Sequence, residues 1–368
     1  MIVTEYRKII DQIDTIDPIK YGKTRNYIDG AVTKLSPYIS RGVISTKQIA
    51  KAVVARGYNP RDIEIFLKEL AWRDYFQQVW IAKGNDIDKD LKHTQSKVSH
   101  HKIPSSIIHH STGIEAIDTH IKALYTSGYM HNHVRMYVAS LCCNIAQSHW
   151  FVPAQWMYYY LLDADWASNA LSWQWTAGSF SSKKYYANQE NINKFCHTNQ
   201  QNTFVDVSYE SIENIDIPKE LQELTSLDLK TNLPQNTALQ IDNSLPTCIY
   251  NFYNLDCQWL SDRQANRILL LEPGFFQKYP VSDFTMQFIL SLSHNIENIQ
   301  VFVGEFDELY SQIQPSTIYY KEHPTNRHYK GIQHQRDWIF NEVRGYYGSF
   351  FAYWKQCEKY LHTLEINS

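Results

Sequence analysis

Four clusters in the first half of the chain combine groups that can do chemistry. The first is Val32–Ser36 with Pro37 and Tyr38, reading VTKLSPY. Backbone N–H groups at a helix entrance, helped by the Thr33 and Ser36 hydroxyls and by Lys34, suit a phosphate. The same letters also suit plain capping, with Ser36 as cap and Pro37 in the first turn. The second cluster is Glu69, Trp72 and Arg73 in FLKELAWRDYF. Glu69 and Arg73 are spaced for an ion pair on one helix face. A carboxylate beside an indole on an apolar helix is costly if buried without a partner. The third is Asn132, Arg135 and Met136 in YMHNHVRMYVASLCCNIA. A buried Arg needs an anion, and Asp163 or Asp165 in LLDADWASNALSWQW can supply it. That stretch is the fourth cluster: Asp165, Asn169 and Trp173 at i, i+4 and i+8 give one helix face an acid, an amide and an indole. Such a face implies something to bind, and a planar heteroaromatic cofactor with hydrogen-bonding edges matches it.

These residues must be positioned by helices. Apolar positions recur at three and four spacing in IEIFLKELAWRDYFQQVW, IEAIDTHIKALY, HVRMYVASLCCNIAQ and AQWMYYYLLDAD. Residues 1–198 therefore read as a helical domain. Residues 199–245 are polar, acidic and rich in turn formers, and read as a linker with one short helix near Lys219–Leu224. From 246 to 368 the pattern changes again. TCIYNFY, RILLLEP, IQVFVGEF and TIYYKEH read as strands, with a helix in SDFTMQFILSLSHN and closing helices after residue 334. Strand, helix, strand at that spacing gives a small parallel α/β unit. The fold class is thus mainly α, an all-helical domain followed by a small α/β unit.

Bulk properties exclude several classes. No apolar run reaches the ~20 residues that span a bilayer, and the N-terminus has no signal-peptide core, so no membrane partner and a cytoplasmic location are expected. Six cysteines lie without a CxxC pair, which fits free thiols. Four His in HHKIPSSIIHH lack Cys or Asp partners at ligand spacing, so no metal is assigned. Residues 1–200 hold 23 Lys and Arg against 17 Asp and Glu, whereas residues 201–368 hold 12 against 21. The first half tolerates a polyanion and the second repels one.

The blocks TRNYIDGAVTKLSPYISRGVIS, FLKELAWRDYF, STGIEAIDTHIKALYTSGYMHNHVRM and LLDADWASNALSWQWTAGS resemble, in order, the flavin domain of the photolyase/cryptochrome family. The resemblance covers residues 20–195 and implies FAD as cofactor. It assigns Tyr21, Thr33, Lys34, Leu35 and Ser36 to the diphosphate, and pairs Arg135 with Asp163 against the isoalloxazine. It sets Asp165 near the flavin edge and Asn169 at N5, and places Trp72, Arg73 and Asn132 around the cofactor. Glu69, Trp72, Asn132, Met136 and Trp175 match the pocket for a flipped-out cyclobutane pyrimidine dimer. Trp173 and Trp150 match the inner members of an electron-carrying chain. The implied activity is that of a deoxyribodipyrimidine photolyase-like lyase on UV-damaged DNA, with Glu69, Asn169, Trp173 and Trp150 catalytic. The competing expectation is a light or redox sensor that kept FAD and lost repair.

Two features depart from the family pattern. The flavin-domain blocks start almost at residue 1, so the family's usual N-terminal antenna domain is expected to be lacking, and no antenna chromophore is assigned. No Trp occurs between Trp80 and Trp150, where the surface member of the electron chain belongs; Tyr125 and Tyr129 are the available substitutes.

Overall fold

The structure is a computed structural model that describes residues 2–364. Up to residue 83 the chain forms α1 (Tyr6–Asp14), α2 (Pro18–Thr24), α3 (Ser36–Ser40), α4 (Thr46–Val54) and α5 (Glu64–Lys83). It continues through β1 (Ile103–Pro104), α6 (Ser105–Ile108), α7 (Glu115–Ser127), α8 (Asn132–Ser140), α9 (Phe151–Tyr160), α10 (Trp166–Ala177) and α11 (Gln189–Cys196). The stretch expected as a linker holds α12 (Tyr209–Ile212), a 3-10 turn at Lys219–Leu221 and β2 (Leu224–Thr225), which pairs antiparallel with β1.

After that come β3 (Thr247–Tyr250), β4 (Asn266–Leu271), α13 (Pro273–Lys278), α14 (Asp283–Ser293), β5 (Ile299–Val303), α15 (Phe306–Ile313), β6 (Ile318–Lys321), β7 (Ile332–His334) and α16 (Phe350–Cys357). The four strands and the helix read from sequence are all present, and β7, α13 and α15 are additions.

By compactness the chain divides into two units, along a different line from the boundaries near residues 198 and 245. One contains residues 1–22, 33–82 and 230–368; the other contains 23–32 and 83–229.

In the first unit five parallel strands run in the order β5-β4-β3-β6-β7. β3 is central, with Thr247 opposite both Asn266 and Ile318. All residues of β3 and β4 are buried, as expected when a parallel sheet is covered on both faces. One face packs Ile249, Ile268 and Leu270 against Phe306 and Leu309 of α15.

Within this unit the segment after β7 bonds to three buried polar side chains of α5. Arg336 Nη1 donates to Gln77 Oε1 at 2.6 Å, Ile339 N to Asp74 Oδ2 at 2.7 Å, and Gly345 N to Gln78 Oε1 at 3.0 Å. Farther along, Trp354 Nε1 donates to Glu64 at 3.2 Å. Asp74, Gln77 and Gln78 are buried, and Asp74 Oδ1 accepts in addition from Thr46 Oγ1 at 2.9 Å.

The second unit packs α8, α9 and α10 together, with a π-turn at Leu141–Ile145 continuing α8. Gln174 of α10 is fully buried, donates to Ile87 O at 2.8 Å and accepts from Leu91 N at 3.1 Å. Residues 23–32 join this unit through Ile28 N to Phe195 O at 3.1 Å. Gly30 is required there, because a Cβ would meet Thr24 O at 2.1 Å.

Candidate functional site

The sequence-derived residues fall in both units, and each group has its own geometry. In the second unit, α10 starts where it does because Asp165 caps it: Oδ1 accepts the Ser168 N–H at 2.8 Å from an extended backbone. Asp165 is buried at the N-cap, while Asn169 and Trp173 stand one and two turns on. Asn169 Nδ2 donates to Ala154 O of α9 at 2.9 Å, which fixes the carboxamide. Arg135 of α8 settles the choice between acids. Its Nη1 lies 3.1 Å from Asp163 Oδ2, and its Nε donates to Met130 O at 2.8 Å. The side chain of Asp163 is 8% exposed and that of Arg135 20%, so the pair is largely removed from water.

Asn132 is the first residue of α8 and is exposed, and Met136 is half-buried. Before them His131 takes the N-cap, its Nδ1 accepting from His133 N at 3.2 Å. Burial first, then the neighbouring His133, His120 and Arg135, push His131 down to about 4, so its ring is neutral at pH 7. Trp150 and Trp173 are buried, whereas Trp175 is 39% exposed and leans on Tyr185 at 5.9 Å. Among the described residues there is no group of three or more His, Cys, Asp or Glu placed to hold a metal. The cysteines are free.

In the first unit Tyr21 packs edge-on against Phe66 at 5.3 Å. Lys34 adopts φ +54°, a left-handed turn that leads into α3. Thr33 Oγ1 accepts from Leu35 N at 3.3 Å, and Leu35 is fully buried. The cap expected from Ser36 is not made: Leu35 holds the N-cap position, with no side-chain cap, and Ser36 is already the first helical residue. The chain reaches the helix through the Lys34 turn, so the Thr33 hydroxyl serves the turn. On α5, Arg73 Nη1 donates to Ser40 Oγ at 2.8 Å. Trp72 stacks on Phe350 with ring centres 3.8 Å apart and planes at 9°.

Several participants escaped sequence reasoning. Asp90 accepts from Trp150 Nε1 at 2.8 Å, and Asp88 accepts from Trp166 Nε1 at 2.7 Å. Their only signal was the acidic run GNDIDKD just after a long helix, which reads equally as a solvated turn. Phe350 gave none.

The Arg135–Asp163 pair, the fixed Asn169 carboxamide and the buried Asp165 carboxylate come from α8, the turn before α10 and α10, the last of which also carries the buried indoles of Trp166 and Trp173. Donors and acceptors in that number fit the polar edge of a planar cofactor such as a flavin.

Comparison with known proteins agrees. Residues 66–244 match a family model described as the FAD binding domain of DNA photolyase. A deoxyribodipyrimidine photo-lyase of Alkalihalophilus pseudofirmus is 30% identical over 148 residues, 39% of this chain and 31% of that protein. A cryptochrome DASH of Danio rerio is 33% identical over 178 residues, 45% of this chain and 33% of that one. The chain thus matches about a third of the length of these relatives. A solved cryptochrome of Synechocystis sp. aligns at 25% identity and a TM-score of 0.47, covering 52% of this chain and 43% of that one. No helix among the described residues is long and apolar enough to cross a membrane.

Proposed function

We propose that this chain, a member of the photolyase/cryptochrome family through its FAD-binding domain, binds FAD and repairs cyclobutane pyrimidine dimers in UV-damaged DNA under blue light. The Arg135–Asp163 pair carries this reading, because it puts a fixed cation and a fixed acceptor where the resemblance assigns the flavin ring. Asp165 and Asn169 supply further polar contacts, and Thr33–Ser36 with Tyr21 hold the diphosphate. Trp72, Arg73 and Asn132 complete the surroundings. When bound in its reduced form, the flavin supplies the electron for dimer splitting after light absorption.

The chain's own residues bind and orient. A dimer inside a duplex must be extruded before it can be received, and an aromatic wall with polar groups receives it. The resemblance assigns Trp72 and Trp175 to packing on the rings, Met136 and Asn132 to contact with the dimer, and Glu69 to a hydrogen bond with the pyrimidine. Asn169 would offer a hydrogen bond to the flavin at N5. Trp173 and Trp150 would relay an electron from a soluble reductant toward the flavin, and the Asp90 carboxylate on the Trp150 N–H would stabilise the positive charge that indole carries.

Purified protein should be yellow, with a flavin absorption spectrum. After photoreduction it should remove dimers from an irradiated oligonucleotide in blue light. Intact dimers with reduced, FAD-loaded protein would reject the repair reading. A second reading, a light or redox sensor without repair, draws support from Phe350 lying on Trp72.

A further inference from the structure

Trp72 offers an indole face, and within its own unit that face is taken by the chain itself. Phe350 lies parallel to the indole at 3.8 Å and 9°, and is 3% exposed. Tyr75 closes the corner, meeting Trp72 edge-on at 5.7 Å and Phe350 at 5.9 Å. A flat ring parallel to an indole at this separation is also how a nucleic-acid base stacks on a protein aromatic. Phe350 thus occupies the position of a planar ligand.

The segment carrying Phe350 is held on both sides of that residue. Beyond it, Tyr353 and Cys357 are fully buried, and the Trp354 indole donates to Glu64 at 3.2 Å and Glu358 at 2.9 Å. Before it, Gly345 has φ +92°, and neither Gly345 nor Gly348 has an atom within 4 Å of a built Cβ. Tyr346 between them is 45% exposed, and Phe351 is 74% exposed. α16 is thus anchored through Tyr353, Trp354 and Cys357. The glycine-flanked loop before it is tied to α5 by two hydrogen bonds, Gly345 N to Gln78 Oε1 at 3.0 Å and Tyr75 Oη to Tyr347 O at 3.3 Å, and Ser349 Oγ accepts from Ala352 N at 3.2 Å as the helix cap.

We infer that Phe350 determines access to the Trp72 face: it is a built-in occupant that a pyrimidine ring must displace before it can stack. The inference rests on the reading that Trp72 receives the dimer. Displacement needs the first turn of α16 and the 345–348 loop to move, while Tyr353 and Trp354 stay seated. Phe350 then selects for ligands whose stacking on Trp72 outweighs its own, which favours an extruded dimer over a base that remains in its helix.

The test uses the full chain loaded with FAD, in the dark, and a short single-stranded oligonucleotide with one thymine dimer beside its undamaged twin. Phe350→Ala should bind the dimer oligonucleotide about tenfold more tightly than the unsubstituted chain, the size of one aromatic pair. Phe350→Leu, which fills the corner without a flat ring, should fall between them, and covers the case in which the Ala variant fails to fold. In a Trp72→Ala background, Phe350→Ala should give no gain. If the unsubstituted chain prefers the dimer and neither Phe350 variant tightens it, the access role is overturned while the repair reading stands. If no variant distinguishes the dimer from its twin, the repair reading falls, and the access role with it.

Discussion

The α8–α10 region and the Trp72 face of α5 solve the problem of placing polar and aromatic groups in different ways. Around Arg135, partners come from nearby sequence: Asp163 is 28 residues away and Ala154 lies 15 residues from Asn169. Asp165 caps its own helix three residues on. Around Trp72, the partners arrive from the far end of the chain, with Ile339 bonding Asp74 across 265 residues and Phe350 stacking on the indole. A site built from near neighbours is held by helix geometry once the helices pack. A face covered by a distant segment depends on that segment staying docked, and can be uncovered without dismantling the rest. On the proposed reading, the first region contributes to holding the cofactor and the second governs ligand access.

Breaking the first region should have the largest effect. Arg135→Met leaves Asp163 buried without its cation, which should cost about 3–5 kcal/mol and most of the bound FAD. Thermal unfolding and the flavin absorbance of purified protein read both. A loss under 1 kcal/mol with flavin retained would show that the pair is not what holds this region together.

The second region should show itself in pH dependence. Asp74 titrates at about 6 instead of near 3.8, because burial outweighs the Ile339 N–H, the Thr46 hydroxyl and the charges of Arg336 and Arg73. Between those values the folded protein keeps a proton that the unfolded chain has lost, so stability falls as pH rises from about 4 to about 6. The amplitude should be on the order of 2–3 kcal/mol, by the free energy of two shifted pH units. Urea unfolding across that range should show it, and Asp74→Asn should flatten it. A slope that survives in Asp74→Asn belongs to another group.

The smallest effect sharpens the local character of the first region. Asp165→Ala should destabilise by about 1 kcal/mol through the lost cap, and Asp165→Asn by only a few tenths, since Asn also caps. Equal losses for both, measured in flavin-free protein, would mean that the charge of Asp165 matters beyond the cap.

Much of the helical half was legible in the letters. Helix periodicity, the i, i+3 placement of Asn132 and Arg135, and the run from Asp163 to Trp175 each lie within a few turns of chain, where spacing decides which side chains meet. The short β-branched runs marked four of the five strands of the parallel sheet for the same reason. β7 was missed because Ile332–His334 is three residues long and carries no alternation. Even the Arg135 partner was narrowed to two acids, and only packing chose Asp163.

Other features had no local signature. FLKELAWRDYF shows an acid and an indole on one helix, but not that Asp74 would be buried against Thr46 and Ile339 or that Trp72 would be faced by Phe350. The acidic turn after α5 likewise did not announce that Asp88 and Asp90 would take the Trp166 and Trp150 indole N–H groups. Spacing along the chain was enough to tell which helices form, which faces carry the acid, amide and indoles, and what kind of cofactor those groups suit. These follow from spacings of a few residues. Which carboxylates are buried and what lies on Trp72 came from the packed fold alone, because those depend on long-range packing that brings residues about 280 apart into contact, and no local pattern encodes it.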